Sequence, residues 1–289
     1  MAPPPSKPRI ALKPARDRIV DPDVPVGRVA PVTYDDPMPR SCLLLPLAGL
    51  AACGRLNFDE APRDTVTPDP YRDLIVGDRP LSYWRLGEAT GTVAVDELGR
   101  VDGTYVGECE LGVPGAITGN SAVRWTRPSP RCVVTFGSAF DFPDRAPYTI
   151  EGWISPTPGE RFGHIFTRQR RQAPNPLDGY AILQGPTGIY TERVVGLINQ
   201  ATMAFGVKPN VFIHVAAVYN GETLTLYADG LARASSASTL SSTPFDTTTT
   251  IGCIDLELVC FAGVIDEVAI YDRALSEATI RSHRDARMP

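Results

Sequence analysis

The segment Val211-Phe-Ile-His-Val-Ala-Ala-Val-Tyr219, then Asn220-Gly221, Glu222-Thr-Leu-Thr-Leu-Tyr-Ala228 and Asp229-Gly230, decides the fold. Asn-Gly and Asp-Gly between β-rich runs mark tight hairpins, because both dipeptides accept the positive φ that type I′ turns need. In the second run Leu224 and Leu226 alternate with Thr223, Thr225 and Tyr227, the period of a strand with one buried face. The first run is apolar on both faces, as a central strand of a sandwich is. The stretch therefore predicts a three-strand meander.

The same texture continues on both sides. Strands are expected at Ser82–Leu86, Gly103–Val106, Ser121–Trp125, Cys132–Phe136, Tyr148–Ile154, His164–Arg168, Tyr180–Gln184, Val194–Ile198, Thr248–Cys253 and Gly263–Tyr271. They are short, evenly spaced and separated by Gly, Pro, Asp and Asn. Helix is scarce: a turn at Tyr71–Gly77, and a last helix that Ser276 can cap, running to about Arg284 with Glu277 at the positive end of its dipole. The fold expected for 71–289 is all-β, an antiparallel two-sheet β-sandwich (jelly roll) with a short C-terminal helix. No repeat with a period of about 20–50 residues is visible.

A net charge of −5 and a pI near 5.3 leave no basic stripe for nucleic acid. Six cysteines occur, of which Cys42 and Cys53 fall in an amino-terminal apolar segment. The remaining Cys109, Cys132, Cys253 and Cys260 read as two disulfides of an exported domain. Of the three possible pairings, Cys109–Cys132 with Cys253–Cys260 is favoured because each closes a local loop. These bonds are worth about 3.5 and about 2.5 kcal/mol on a loop-entropy basis. Zinc is the competing reading, but there is no Cys-x-x-Cys and the three histidines are scattered.

The amino-terminal quarter has a different character. Residues 1–37 are proline-rich and too polar to bury a core, so they are expected to be disordered, reflecting a translation start assigned too early or, in the alternative, an unusually long, mildly basic leader. Residues 38–52 carry one Arg, a short apolar run and then small residues, the order of a secretory signal and too short for a membrane span. Leu50-Ala51-Ala52-Cys53 resembles the lipobox of bacterial lipoproteins. The resemblance implies cleavage before Cys53, lipidation of its sulfur and an exported, membrane-anchored protein. Gly54 in place of Asp points to the outer membrane, and residues 53–70 form a polar tether.

Several blocks of the carboxy-terminal region resemble the laminin-G-like jelly-roll domains. They are Ser82-Tyr-Trp-Arg-Leu-Gly-Glu88 with Asp96-Glu-Leu-Gly-Arg-Val-Asp-Gly-Thr-Tyr105, Gly119-Asn-Ser-Ala-Val-Arg-Trp125, Tyr148-Thr-Ile-Glu-Gly-Trp-Ile-Ser-Pro156, Phe212 to Gly230, and Phe261 to Ser276. The resemblance implies two antiparallel sheets of the concanavalin A-like lectin/glucanase superfamily. Fold alone does not give function. The stretch Trp125-Thr-Arg-Pro-Ser-Pro-Arg-Cys132 departs from the family, which often has an aspartate-rich turn there.

Catalysis is not expected. The laminarinase-like branch carries Glu-x-Asp-x-x-Glu on one strand; Asp255-Leu-Glu257 is the nearest approach, with Cys253 where the first Glu should stand. No Gly-x-Ser-x-Gly, His-Glu-x-x-His or phosphate loop occurs. His214 reads as a core histidine, and His164 and His283 show no evident partner in the sequence. Asp96, Asp102 and Asp266 are candidate ligands for a structural calcium, since hard cations take turn oxygens; the alternative is a solvated turn with a salt bridge. Strict alternation sends Asp266 and Glu267 to opposite faces, so one of them needs a partner: calcium, Arg273 or backbone N–H groups. Trp125, Tyr180 and Tyr190 are the candidate stacking residues for a sugar, while Trp84 and Trp153 read as core. The functional expectation is a non-catalytic surface module binding a polysaccharide, or a cell-surface glycan or protein, with a polysaccharide-active enzyme or a purely structural module as alternatives.

Overall fold

Alternation along the strand Tyr148–Pro156 shows how the molecule is layered. Tyr148, Ile150 and Ile154 enter the core between two sheets, whereas Trp153 joins a second apolar cluster on the opposite face. All nine residues of that strand are buried, so both of its faces are covered. The computed structural model describes residues 69–126, 132–157, 162–171, 177–196, 198–254 and 259–287. The leader, the signal-like segment, Cys53, the tether up to residue 68 and Asp255-Leu-Glu257 lie outside the described residues.

The strands are β1 (Ser82–Trp84), β2 (Val93–Ala94), β3 (Gly103–Gly107), β4 (Glu110–Pro114), β5 (Ser121–Trp125), β6 (Cys132–Thr135), β7 (Tyr148–Pro156) and β8 (Gly163–Arg171). They continue as β9 (Leu177–Gly185), β10 (Gly188–Val195), β11 (Ile198–Phe205), β12 (Ile213–Tyr219), β13 (Thr223–Ala228), β14 (Leu231–Ala237), β15 (Thr250–Ile251) and β16 (Gly263–Tyr271). One eight-stranded antiparallel sheet has the order β14-β13-β12-β7-β16-β5-β4, with β1 also pairing β16. The second, also eight-stranded, has the order β11-β10-β9-β8-β15-β6-β3-β2. This is the expected two-sheet sandwich.

The predicted meander is β12-β13-β14. Its two turns differ. Asp229 and Gly230 both have positive φ (51° and 76°), as a type I′ turn requires, whereas at Asn220-Gly221 only Gly221 does. There the Asn220 carboxamide oxygen instead accepts from the backbone N–H groups of Glu222 (2.9 Å) and Thr223 (2.8 Å). The strand expected at Val194–Ile198 is really a hairpin, with β10 ending at Val195 and β11 starting at Ile198. Short edge strands such as β4, which contains Gly112 and Pro114, carried too weak a pattern to be read. Both favoured disulfides are present, Cys109–Cys132 and Cys253–Cys260.

Two helices close the outer face of the first sheet. In α1 (Pro70–Gly77) Asp69 accepts from Arg72 N (3.0 Å); in α2 (Glu277–Asp285) Ser276 accepts from Thr279 N (3.1 Å). Ile75, Leu275 and Ile280 pack with Tyr71, Tyr83, Trp153 and Tyr271 beneath them. Each such aliphatic side chain contributes about 1.5–3 kcal/mol when fully buried. Buried Trp84 and Trp153 are core, as the pattern predicts.

Candidate functional site

At one end of the sandwich, three segments frame a cleft of about 240 Å³: the end of β7 at Pro156 and Thr157, the β9–β10 turn from Gln184 to Ile189, and Gly206, Val207 and Pro209 before β12. Three prolines among eleven lining residues stiffen its rim. Backbone and amide bonds tie the segments together, with Gln184 Nε2 donating to Thr157 O (3.2 Å) and Asn210 N donating to Pro156 O (2.8 Å). The lining offers the hydroxyls of Thr157 and Thr187, the Gln184 amide, and the apolar Ile189 and Val207; none of its residues is ionisable.

Beside the cleft, Tyr190 and Phe162 form a tilted ring pair, with centroids 5.6 Å apart and planes at 54°. Gly185 permits it: a Cβ there would lie 2.4 Å from Tyr190 Cε2 and 2.8 Å from Phe162 Cε1. The Tyr190 hydroxyl shares a hydrogen bond with the Thr187 hydroxyl (2.8 Å), coupling the rings to the lining. Phe162 is 49% exposed. It was missed in the sequence because it precedes β8 rather than lying in its alternation; the turn composition Gly185-Pro-Thr-Gly188 was the available signal.

Of the three aromatic residues expected to stack on a sugar, only Tyr190 lies at this site. The other two are corrected to core. Trp125 is 2% exposed and its indole donates to Cys132 O (3.0 Å). Tyr180 is 6% exposed, donates to Phe140 O (2.5 Å) and packs against Tyr148 at 4.7 Å. Both belong to strands whose inward faces they fill, so neither presents a ring to solvent.

The aspartates proposed for calcium have other partners. The Asp96 carboxylate accepts from the backbone N–H groups of Tyr83, Leu98, Arg100 and Val101 at 2.9–3.1 Å. Asp102 Oδ1 accepts from Asp96 N at 2.9 Å. N–H dipoles thus balance the Asp96 charge, and no cation is needed for that purpose. Among the described residues no group of three or more His, Cys, Asp and Glu converges as a metal set.

Asp266 and Glu267 do not point to opposite faces. A register shift interrupts β16 after Asp266, and Glu267 adopts a φ of 54°, so the bulge turns both carboxylates toward Asn120. Asn120 Nδ2 donates to Asp266 (3.2 Å) and Glu267 (2.8 Å), and Ala116 N donates to Asp266 (2.6 Å). Arg85, not Arg273, pairs with Glu267 (3.0 Å), which also accepts from the Tyr83 hydroxyl. Burial raises both carboxyls; the Glu267 charge adds to the rise at Asp266, while Arg85 restrains that of Glu267, which stands at about 7.

A second buried polar group joins β7 to α2. Glu151 Oε1 accepts from the Tyr271 hydroxyl (2.7 Å) and pairs with His283 Nδ1 (2.8 Å), whose Nε2 meets Asp78 (2.8 Å). His214, a core residue as expected, places Nε2 3.4 Å from Glu151 Oε2. His164 also has partners, the Val259 carbonyl (3.3 Å) and Gln169 Oε1 (3.2 Å). Apart from Gln169, which lies on the same strand as His164, chain-distant elements supply these contacts, so the sequence did not show them. Burial opposes ionisation of Glu151, but His283 and His214 overcome it and hold the carboxyl well below its usual range.

A family model of the concanavalin A-like lectin/glucanases superfamily, of laminin-G type, matches residues 133–281. A comparison with curated proteins finds no match. Among solved structures, domain 4 of AbnA, a GH43 extracellular arabinanase from Geobacillus stearothermophilus in complex with arabinotriose, aligns with a TM-score of 0.53 and 14% identity, over 71% of this chain and 98% of that one. The binding domain of botulinum neurotoxin DC in complex with SialylT aligns at 0.57 and 11%, over 74% of this chain and 52% of that one. A Trypanosoma rangeli sialidase aligns at 0.51 and 14%, over 71% of this chain and 32% of that one. The chain thus spans about half of the toxin domain and about a third of the sialidase. At these identities the likeness is one of fold.

Proposed function

Because the chain belongs to the concanavalin A-like lectin/glucanases superfamily, we propose that it is a non-catalytic carbohydrate-binding module, exported and held at a membrane, the outer one by the Gly54 criterion, through a lipidated Cys53. The observation that carries the binding reading is the Phe162–Tyr190 ring pair beside a cleft lined by neutral hydroxyl, amide and apolar groups. Such a site combines a surface for stacking on a sugar ring with groups that exchange hydrogen bonds with its hydroxyls. The complexes of similar fold with arabinotriose and SialylT support a glycan as the ligand class.

A non-catalytic role is supported by the state of the three buried acids on the first sheet. Glu151, Asp266 and Glu267 are at most 1% exposed and are engaged by internal donors. Carboxyls sealed in this way have no path to a glycosidic bond. The test is to measure binding to a glycan array beside hydrolysis of the same polymers. Binding without product supports the module; release of product that requires an intact carboxyl overturns it.

A further inference from the structure

We infer that the connection between α1 and β1 is a cationic foot that rests on anionic phospholipid headgroups and turns the end cleft away from the membrane, which rests on the membrane-anchored reading above. The connection is Asp78 to Leu81, and two arginines from distant segments hold its four successive carbonyls. Arg273 donates to Arg79 O (3.1 Å) and to Asp78 O, and Arg100 donates to Pro80 O (3.1 Å) and Leu81 O (3.2 Å). Arg79 itself is exposed, at a φ of 50°. Three guanidinium groups thus gather at four residues of backbone. Among the described residues neither Arg79 nor Arg100 has a carboxylate partner; of the acids beside them, Asp78 is engaged by His283 (2.8 Å) and Asp272 meets Arg273 at 3.8 Å. Guanidiniums held by neutral carbonyls keep their charge and their remaining N–H groups, which suit phosphate oxygens.

The fold sets these arginines opposite the cleft. Thr149 Oγ1 donates to Arg273 O (2.8 Å) and Thr149 pairs with Tyr271, whereas Pro156 pairs with Gly263 at the far end of β7 and lines the cleft. The steps from Thr149 to Pro156 along β7 cover about 23 Å. The tether joins at Asp69, and α1 spans about 12 Å from there to the arginines. Sixteen residue steps from Cys53 to Asp69 reach at most about 55 Å, so a lipid at Cys53 keeps the connection within range of the bilayer. Confinement of this kind raises the effective concentration of headgroups, so a weak contact suffices to orient the domain. An anionic surface favours each arginine by about fivefold in affinity, and salt reduces the effect.

Vesicles of phosphatidylcholine, with and without phosphatidylglycerol, test this on full chains that all carry Cys53→Ala, so that no acyl chain contributes. Residues 1–52 are the same in each chain, so any difference belongs to the substituted arginines. Arg79→Gln with Arg100→Gln should weaken binding to phosphatidylglycerol vesicles about tenfold or more at low salt. Arg79→Lys with Arg100→Lys gives up the carbonyl forks but keeps the charges, and should bind within about threefold of the parent. On these vesicles Arg79 and Arg100 should react more slowly with phenylglyoxal, while the exposed Lys208, between the cleft residues Val207 and Pro209, should acetylate as fast as in solution. Mass spectrometry reads both. Inorganic phosphate at the same phosphate concentration should protect neither arginine. Equal affinity of the parent and the glutamine variant, arginines that stay fully reactive on vesicles, or a Lys208 protected along with them would overturn the inference. Protection by inorganic phosphate alone would make the connection a soluble-anion site and overturn it too. The anchor reading fails separately, if the wild-type chain takes up no acyl group, because the vesicle comparison is made without that group.

Discussion

Replacing His283 by Phe, and following stability with pH, tests whether the buried Glu151–His283 pair locks α2 onto the sheet. The His283 side chain is fully buried, with Glu151 on one ring nitrogen and Asp78 on the other, both at 2.8 Å. Burial alone would lower its pKa; the Glu151 charge and the hydrogen bonds to Glu151 and Asp78 reverse this and raise it to about 9. The unfolded imidazole titrates near its ordinary value of about 6.5. A proton held more tightly in the folded state stabilises that state fully below about pH 6.5, and the contribution disappears as pH rises through about 9. The gap between the two values corresponds to about 3 kcal/mol.

Phe at 283 keeps a ring beside Tyr271, which stacks at 6.4 Å and 23°, but it removes the nearer of the two imidazoles that face Glu151. The variant should be less stable by about 3–5 kcal/mol near neutrality. Urea unfolding of both proteins from about pH 6 to about pH 10 measures the difference, which should shrink by about 3 kcal/mol across that range. Asp266 and Glu267 titrate in both proteins, so their effects cancel in the difference. A difference that stays constant with pH would refute the ion-pair account of α2 docking.

Gly252→Ala would place a methyl group 1.8 Å from Trp125 Nε1 at a φ of +92°, and should lower unfolding stability by about 3 kcal/mol or more, read from the urea midpoint. Exchanging both cysteines for serine should cost about 2.5 kcal/mol at Cys253 and Cys260, and about 3.5 kcal/mol at Cys109 and Cys132, by the same measurement. Because backbone N–H groups already satisfy Asp96, adding a chelator should leave the unfolding midpoint unchanged; a drop on chelation would reinstate a calcium site. Metabolic labelling with a radioactive fatty acid should mark the wild-type protein and not Cys53→Ala; equal incorporation would remove the proposed anchor.

Local pattern carries far in this chain. Asn220-Gly221 and Asp229-Gly230, with the alternation of Thr223–Ala228, were enough to place the meander, because turn chemistry and a period of two are properties of neighbouring residues. The central strands β7, expected at Tyr148–Ile154, and β16 were legible as apolar runs bounded by turn residues, and the cap at Ser276 from its position before Glu277. Residues within a few positions of each other also allowed the local disulfide Cys253–Cys260 to be favoured.

What only the tertiary structure decided is which face each side chain meets. Trp125 and Tyr180 look identical to surface aromatics until both sheets are in place, and one bulge at Glu267 reverses the direction in which a carboxylate points. His283 finds Glu151 across 132 residues of chain, and Phe162 finds Tyr190 only because Gly185 leaves room between strands. The sequence alone thus determined strands, turns and caps, whose energies come from near neighbours. Sites arise from contacts between distant segments, whose partners no local periodicity encodes.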